Sequence, residues 1–128
     1  MKLQLLILLS IISLQAQNFQ DGIPFYKFYN SKTYKGGPQI FSIEQDKRGI
    51  IYAGNSYGIL EFDGTNWRRI KTKENTNVWY LTHDENNRVY AATSLNFGVI
   101  SANSNGTPYF KSLSDSLTGF KGNIINIE

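Results

Sequence analysis

Ile40-Phe41-Ser42-Ile43-Glu44-Gln45-Asp46-Lys47-Arg48-Gly49-Ile50-Ile51-Tyr52-Ala53-Gly54-Asn55 and Val78-Trp79-Tyr80-Leu81-Thr82-His83-Asp84-Glu85-Asn86-Asn87-Arg88-Val89-Tyr90-Ala91-Ala92-Thr93 are two copies of one pattern. Asp46 falls on Asp84, Tyr52 on Tyr90 and Ala53 on Ala91, each 38 residues further on. Gly49 falls on Asn87, the other residue type that tolerates a left-handed backbone. With an insertion, the match is expected to resume as Gly58-Ile59-Leu60 on Gly98-Val99-Ile100, at an offset of 40. Ile124-Ile125-Asn126-Ile127-Glu128 looks like the opening of a third copy.

Each copy reads as four short strands. In the first copy they are expected near 39–45, 50–54, 59–62 and 67–70. Asp46-Lys47-Arg48-Gly49 and Asn55-Ser56-Tyr57-Gly58 are turns, and Asp63-Gly64 is a hairpin signal ahead of Trp67. In the second copy the fourth strand is expected near 109–112, after a turn at 103–108. A unit of about 40 residues and four strands is the spacing of a β-propeller blade, whose two apolar faces must be covered by neighbours. The expected fold is all-β. It consists of about two four-stranded blades (39–74 and 75–116) and the start of a third (117–128), as a fragment of a larger ring. Residues 17–38 precede the first blade. Within them Phe25 to Tyr29 has the aromatic pattern of a strand that could close the ring on a last blade.

The first sixteen residues read as a signal peptide. Lys2 is followed by an apolar run from Leu3 to Leu14, then Gln15-Ala16-Gln17. That run is shorter than the roughly 20 residues that span a bilayer. Export to the periplasm is the expectation, with cleavage near Ala16. The chain has 128 residues, no cysteine and a formal net charge of +3. Its basic residues are dispersed, the densest group being Arg68, Arg69, Lys71 and Lys73. Binding of nucleic acid by this segment is therefore not expected. A disulfide framework and a cysteine-based metal site or nucleophile are impossible.

The repeat resembles the two-component-regulator propeller repeat. The residues that carry the resemblance are Asp46, Gly49, Tyr52, Gly54-Asn55 and Gly58 in the first copy. In the second they are Asp84, Asn87, Tyr90, Thr93 and Gly98, with Ala92 departing from the glycine. The stretch from Tyr52 to Trp67, which includes Asp63-Gly64, and the stretches Asn96 to Ile100 and Tyr109 to Leu113 are similar to the N-terminal sensor region of bacterial regulators with a triple-tyrosine domain. The opening Gly22-Ile23-Pro24-Phe25, with Tyr29 and Tyr34, fits the same region. The resemblance implies a periplasmic propeller followed by a triple-tyrosine domain, a membrane helix and a cytoplasmic output. That output would be a histidine kinase or a DNA-binding module. The implied partners are an unidentified small-molecule or oligosaccharide ligand, the remaining blades, the triple-tyrosine domain and a second copy in a homodimer.

No catalytic residue, cofactor or metal is expected in this segment. His83 is the only histidine. It lies beside Asp84, but its repeat mate is Gln45, which favours a solvated strand end over acid–base work. Asp46 and Asp84 could face a cation as a pair. Their place three residues before Gly49 and Asn87 favours turn capping instead. Trp67 and Trp79 could stack on a sugar ring. Packing between blades is the plainer expectation for Trp67. Trp79 and its neighbour Tyr80 are the candidate ligand-binding residues, one facing the inter-blade core and the other the opposite side. Asn105-Gly106-Thr107 has the spelling of a glycosylation acceptor and reads as a plain turn. A sensory propeller is therefore the leading expectation. A fragment of a secreted polysaccharide-acting propeller enzyme and a non-catalytic secreted binding scaffold are the alternatives, because fold alone does not fix function.

Overall fold

The computed structural model describes residues 25–119. The leader segment and the third-copy opening lie outside the described residues. A one-turn helix, α1 (Ser31–Tyr34), precedes eight strands: β1 (Ile40–Gln45), β2 (Ile51–Asn55), β3 (Gly58–Phe62), β4 (Trp67–Ile70), β5 (Val78–His83), β6 (Val89–Thr93), β7 (Phe97–Ala102) and β8 (Pro108–Ser112). They form two four-stranded antiparallel sheets in the order β1-β2-β3-β4 and β5-β6-β7-β8. The described region is all-β apart from α1 and single 3₁₀ turns at Lys73–Asn75 and Ser114–Ser116.

The turns follow from their residues. Asp46 Oδ1 accepts the N–H groups of Arg48 (2.9 Å) and Ile50 (3.1 Å), and Gly49 N–H donates to the Asp46 carbonyl at 2.9 Å. In the second sheet Asp84 Oδ1 accepts Arg88 N–H at 2.8 Å. Gly49 and Asn87 carry φ of 84° and 64°, the left-handed region that glycine and asparagine reach at least cost. Asp63 Oδ1 accepts the N–H groups of Thr65 and Asn66 in the β3–β4 turn, where Gly64 has φ 92°.

Register corrects one sequence expectation. Ala53 pairs with Leu60, and Ala91 with Gly98. Gly98 therefore stands where Leu60 stands, and the 38-residue offset continues into the third strand of each sheet. The expected match of Gly58 to Gly98 fails because the β2–β3 and β6–β7 turns have equal length: Asn55 pairs with Gly58, and Thr93 N–H bonds the Asn96 carbonyl. Gly98 is a strand glycine. A Cβ there would strike the Lys111 carbonyl and the Phe110 ring. The extra residues of the second copy lie in the β7–β8 turn. The sheets also share an irregularity that was not expected, with register shifts between Ile40 and Ser42 and between Val78 and Tyr80.

The sheets pack face to face. Tyr52, Ile59 and Ile70 of the first meet Val78, Leu81, Val89 and Ala91 of the second, with Ile100 and Phe110 beside them. The first strands approach most closely. Leu81 N–H donates to Ser42 Oγ at 3.1 Å. A Cβ on Gly54 would lie 2.6 Å from the Val78 carbonyl oxygen, so this position requires glycine.

The other face of the first sheet is covered by the N-terminal segment, a hook running from Tyr29 to Gln39. Tyr29 and Tyr34 pack on Trp67, with ring centroids 5.4 and 5.7 Å away, and Trp67 stacks on Phe62 at 4.7 Å. Trp67 thus packs on the face of the first sheet turned away from the second. By register it matches Phe110, since Phe62 pairs with Trp67 and Ile100 with Phe110. Leu60 is fully buried beneath the hook. Ile51 and Val99 are half-buried. Phe25 to Asn30 forms no strand, and the side chains of Phe25, Tyr26 and Phe28 are exposed.

Candidate functional site

Side chains capable of recognition gather at the two ends of the seam between the sheets. At the end where β1 and β5 begin, Phe41 and Trp79 occupy equivalent positions in the two irregular stretches. Their rings lie 4.5 Å apart. A bulge re-aims the side chain it carries, and this one sends Trp79 across the seam. The Trp79 Nε1–H donates to Ser94 Oγ at 2.9 Å. Tyr80 pairs with Ala92, on the face turned away from the first sheet, so the two candidate ligand-binding residues diverge.

At the opposite end the seam opens into a cleft of about 300 Å³ between the Asp46 turn and the β7–β8 turn. Its charged wall combines Arg48 and Asp63 from turns with Tyr52, Glu61 and Arg68, which belong to one transverse row of the first sheet. Cross-strand register places Glu44 beside Tyr52, Tyr52 beside Glu61, and Glu61 beside Arg68. The second sheet meets this row at its near end, where His83 Nδ1 is 3.0 Å from Glu44 Oε1. Its apolar floor is Ile50, Val89, Ile100 and Pro108.

The two Asp turns each anchor an arginine and a tyrosine. Asp46 Oδ2 accepts from Arg48 Nε (2.9 Å) and Nη2 (2.7 Å), and Arg48 Nη2 also reaches the Tyr52 hydroxyl at 3.2 Å. Asp84 Oδ2 accepts from Arg88 Nε at 2.6 Å and from the Tyr90 hydroxyl at 3.3 Å. Burial works to raise the Asp46 carboxyl, but the hydrogen bonds from Arg48 and from backbone N–H groups outweigh it and hold the group below its usual range. For Asp84 the Arg88 backbone N–H is the main cause of a similar lowering. Both acids are spoken for by turn and guanidinium. Among the described residues no group of three or more His, Asp or Glu side chains is placed to hold a metal ion.

Glu61 differs from these acids. It is 8% exposed, and among the described residues it makes no hydrogen bond and pairs only with Arg68, whose Nε is 3.6 Å away. Burial pushes its carboxyl up, more than Arg68 and Arg48 pull it down. Burial, and then the Glu61 charge, push the Tyr52 phenol up as well. Sequence reasoning missed Glu61, Arg48 and Arg68. A lone Glu-Phe-Asp in a strand carries no signal, and the row exists only through register.

No family model, curated protein or solved structure matches this chain.

Proposed function

We propose that the two sheets are consecutive blades of a β-propeller and that this propeller is the exported, ligand-sensing region of a signal-transduction regulator of the triple-tyrosine class. The observation that carries the reading is the equivalence of the two sheets. Their first three strands keep one 38-residue offset, and Phe110 packs on the preceding sheet as Trp67 packs on the hook. Each sheet thus presents one face to what precedes it in the chain, which is the packing rule of a ring of blades. Ile43, on the same side of the first sheet as Leu60, is 69% exposed, and a preceding blade would cover it. The hook then lies where the outer strand of that blade belongs, so a ring-closing role falls to residues 29–39 and not to a strand at Phe25 to Tyr29. The sensory role rests on the resemblance of the repeat residues. The Phe41–Trp79 pair supports it by setting partly exposed aromatics at the seam.

An in-frame deletion of residues 75–116 in the native gene tests this reading. Transcript profiles across nutrient shifts should lose a ligand-dependent response while the product remains exported, with its N-terminus near Gln17 by mass spectrometry. An unchanged transcriptional response, or an intact Met1 in the cytoplasmic fraction, would overturn it.

A further inference from the structure

We infer that the cleft beneath the Asp46 turn binds a small zwitterion, an α-amino acid with an aliphatic side chain. The inference rests on the sensory reading for its physiological meaning and on the cleft alone for its chemistry. Every wall belongs to β1–β8 and their turns, so the site needs no further blade. Its volume is at the lower end of ligand pockets, which span about 300–1,000 Å³.

The polar groups select the ligand. The Glu61 side chain is nine-tenths buried, and its carboxylate opens only to the cleft, so the cleft is where its hydrogen-bond partners come from. Among the described residues the Glu61 carboxylate has no donor within bonding distance, and it lines the open cleft. Arg68, half-exposed on the same wall, makes only the 3.6 Å ion pair to Glu61. One acceptor and one fork of donors, both open to the cleft, stand side by side. A bare cation would meet the guanidinium of Arg68, and a bare anion the carboxylate of Glu61. A molecule carrying an ammonium and a carboxylate on adjacent atoms satisfies both, because arginine binds carboxylate bidentately and a charge-assisted bond from the ammonium meets the glutamate. The floor of Ile50, Val89, Ile100 and Pro108 is apolar, which suits a branched aliphatic side chain.

Calorimetric titration of the whole chain tests this with L-leucine, 4-methylpentanoate (no ammonium), 3-methylbutylamine (no carboxylate) and glucose. L-leucine should bind saturably, and each half-molecule at least about tenfold more weakly, a difference readily resolved in a titration. Glu61→Gln should weaken L-leucine by about tenfold and strengthen 4-methylpentanoate, which no longer meets a carboxylate beside Arg68. Arg68→Gln should weaken L-leucine and 4-methylpentanoate and strengthen 3-methylbutylamine, which no longer meets a guanidinium beside Glu61. Far-UV circular dichroism on the same samples reports the sheets. A folded chain that ignores L-leucine at about 10 mM, binds it equally well as Glu61→Gln, or prefers glucose would overturn the inference and leave the propeller reading standing. A chain without β structure would overturn both.

Discussion

The backbone N–H of Lys47 in the first sheet donates to the side-chain carbonyl of Asn87 in the second, at 2.6 Å. One asparagine therefore does two things. It takes up the left-handed conformation that closes its own turn, and it ties that turn to the equivalent turn of the preceding sheet.

Separating the two roles gives a first prediction. Asn87→Gly keeps the backbone and loses the tie, which should cost about 0.5–1.5 kcal/mol, the net worth of one hydrogen bond. Asn87→Ala loses the tie and also forces a Cβ into the left-handed region, adding about 1–2 kcal/mol. Urea melts should show lower midpoints with unchanged slopes, alanine falling further than glycine. Equal losses would mean that backbone conformation is not what asparagine supplies here.

Asp46 gives a pH-dependent prediction. Its carboxyl is held below the usual range, so the folded state binds its proton less readily than the unfolded chain. Stability from this group is present above the ordinary aspartate pKa and is lost as pH falls through the lower, folded value. Asp46→Ala should cost about 1–3 kcal/mol near neutral pH, because two backbone N–H groups and Arg48 lose a buried acceptor. Its difference from the parent chain should shrink in strong acid. Asp84→Ala, at the more exposed turn, should cost less. A pH-independent difference for Asp46→Ala would refute the electrostatic account.

Glu61 has the opposite sign. Its raised carboxyl means that the folded chain holds the proton more readily. Stability is then greatest below the ordinary glutamate pKa and falls as pH rises through the folded value. Glu61→Gln should therefore be more stable than the parent at neutral pH, and the gain should vanish below the ordinary value. Thermal melts across pH measure this. A neutral-pH loss in Glu61→Gln would show that the Arg68 ion pair outweighs the burial of the carboxylate.

The strands were legible in the sequence because their turns are. Asp46, Gly49, Asp63-Gly64, Asp84 and Asn87 carry local chemistry, and a turn position can be read from one residue. What lay out of reach depends on residues distant in the chain. Gly58 and Gly98 look like mates, yet only pairing with Ala91 reveals that Gly98 replaces Leu60. The cleft wall draws on one row across the first sheet, and no spacing along the chain announces it. Trp67 could be read as an inter-blade residue, but nothing in a tryptophan says which face of a strand will be covered, or by what. The hook was hidden for the same reason, since its grip comes from the side chain of Asn55, 18 residues from Gly37.

That grip supplies the last prediction. Asn55 is fully buried and uses its whole side chain. Its Oδ1 accepts the N–H groups of Gly37 (2.8 Å) and Tyr57 (3.0 Å), and its Nδ2 donates to the carbonyls of Gly37 (2.8 Å) and Gln39 (2.7 Å). Three bonds from one amide hold the hook to the β2–β3 turn, and the fourth, from Tyr57, is made within the turn itself. A Cβ on Gly36 would sit 3.1 Å from Leu60 Cδ2, so the hook also lies close on the sheet. Asn55→Ala leaves backbone groups without partners, and each buried one costs about 1–3 kcal/mol. The hook can recover those bonds only by lifting into water. Doing so would uncover Leu60 and Trp67, an apolar surface of the kind that drives association. The expected results are faster proteolysis between 29 and 39, a red shift in tryptophan emission from Trp67, and concentration-dependent sedimentation. Asn55→Asp keeps the two acceptor bonds and loses the two donors, so it should fall between the parent and alanine. Unchanged proteolysis in Asn55→Ala would mean that the Tyr29, Tyr34 and Trp67 cluster holds the hook without the amide. Trp67→Ala in the same background would then release it.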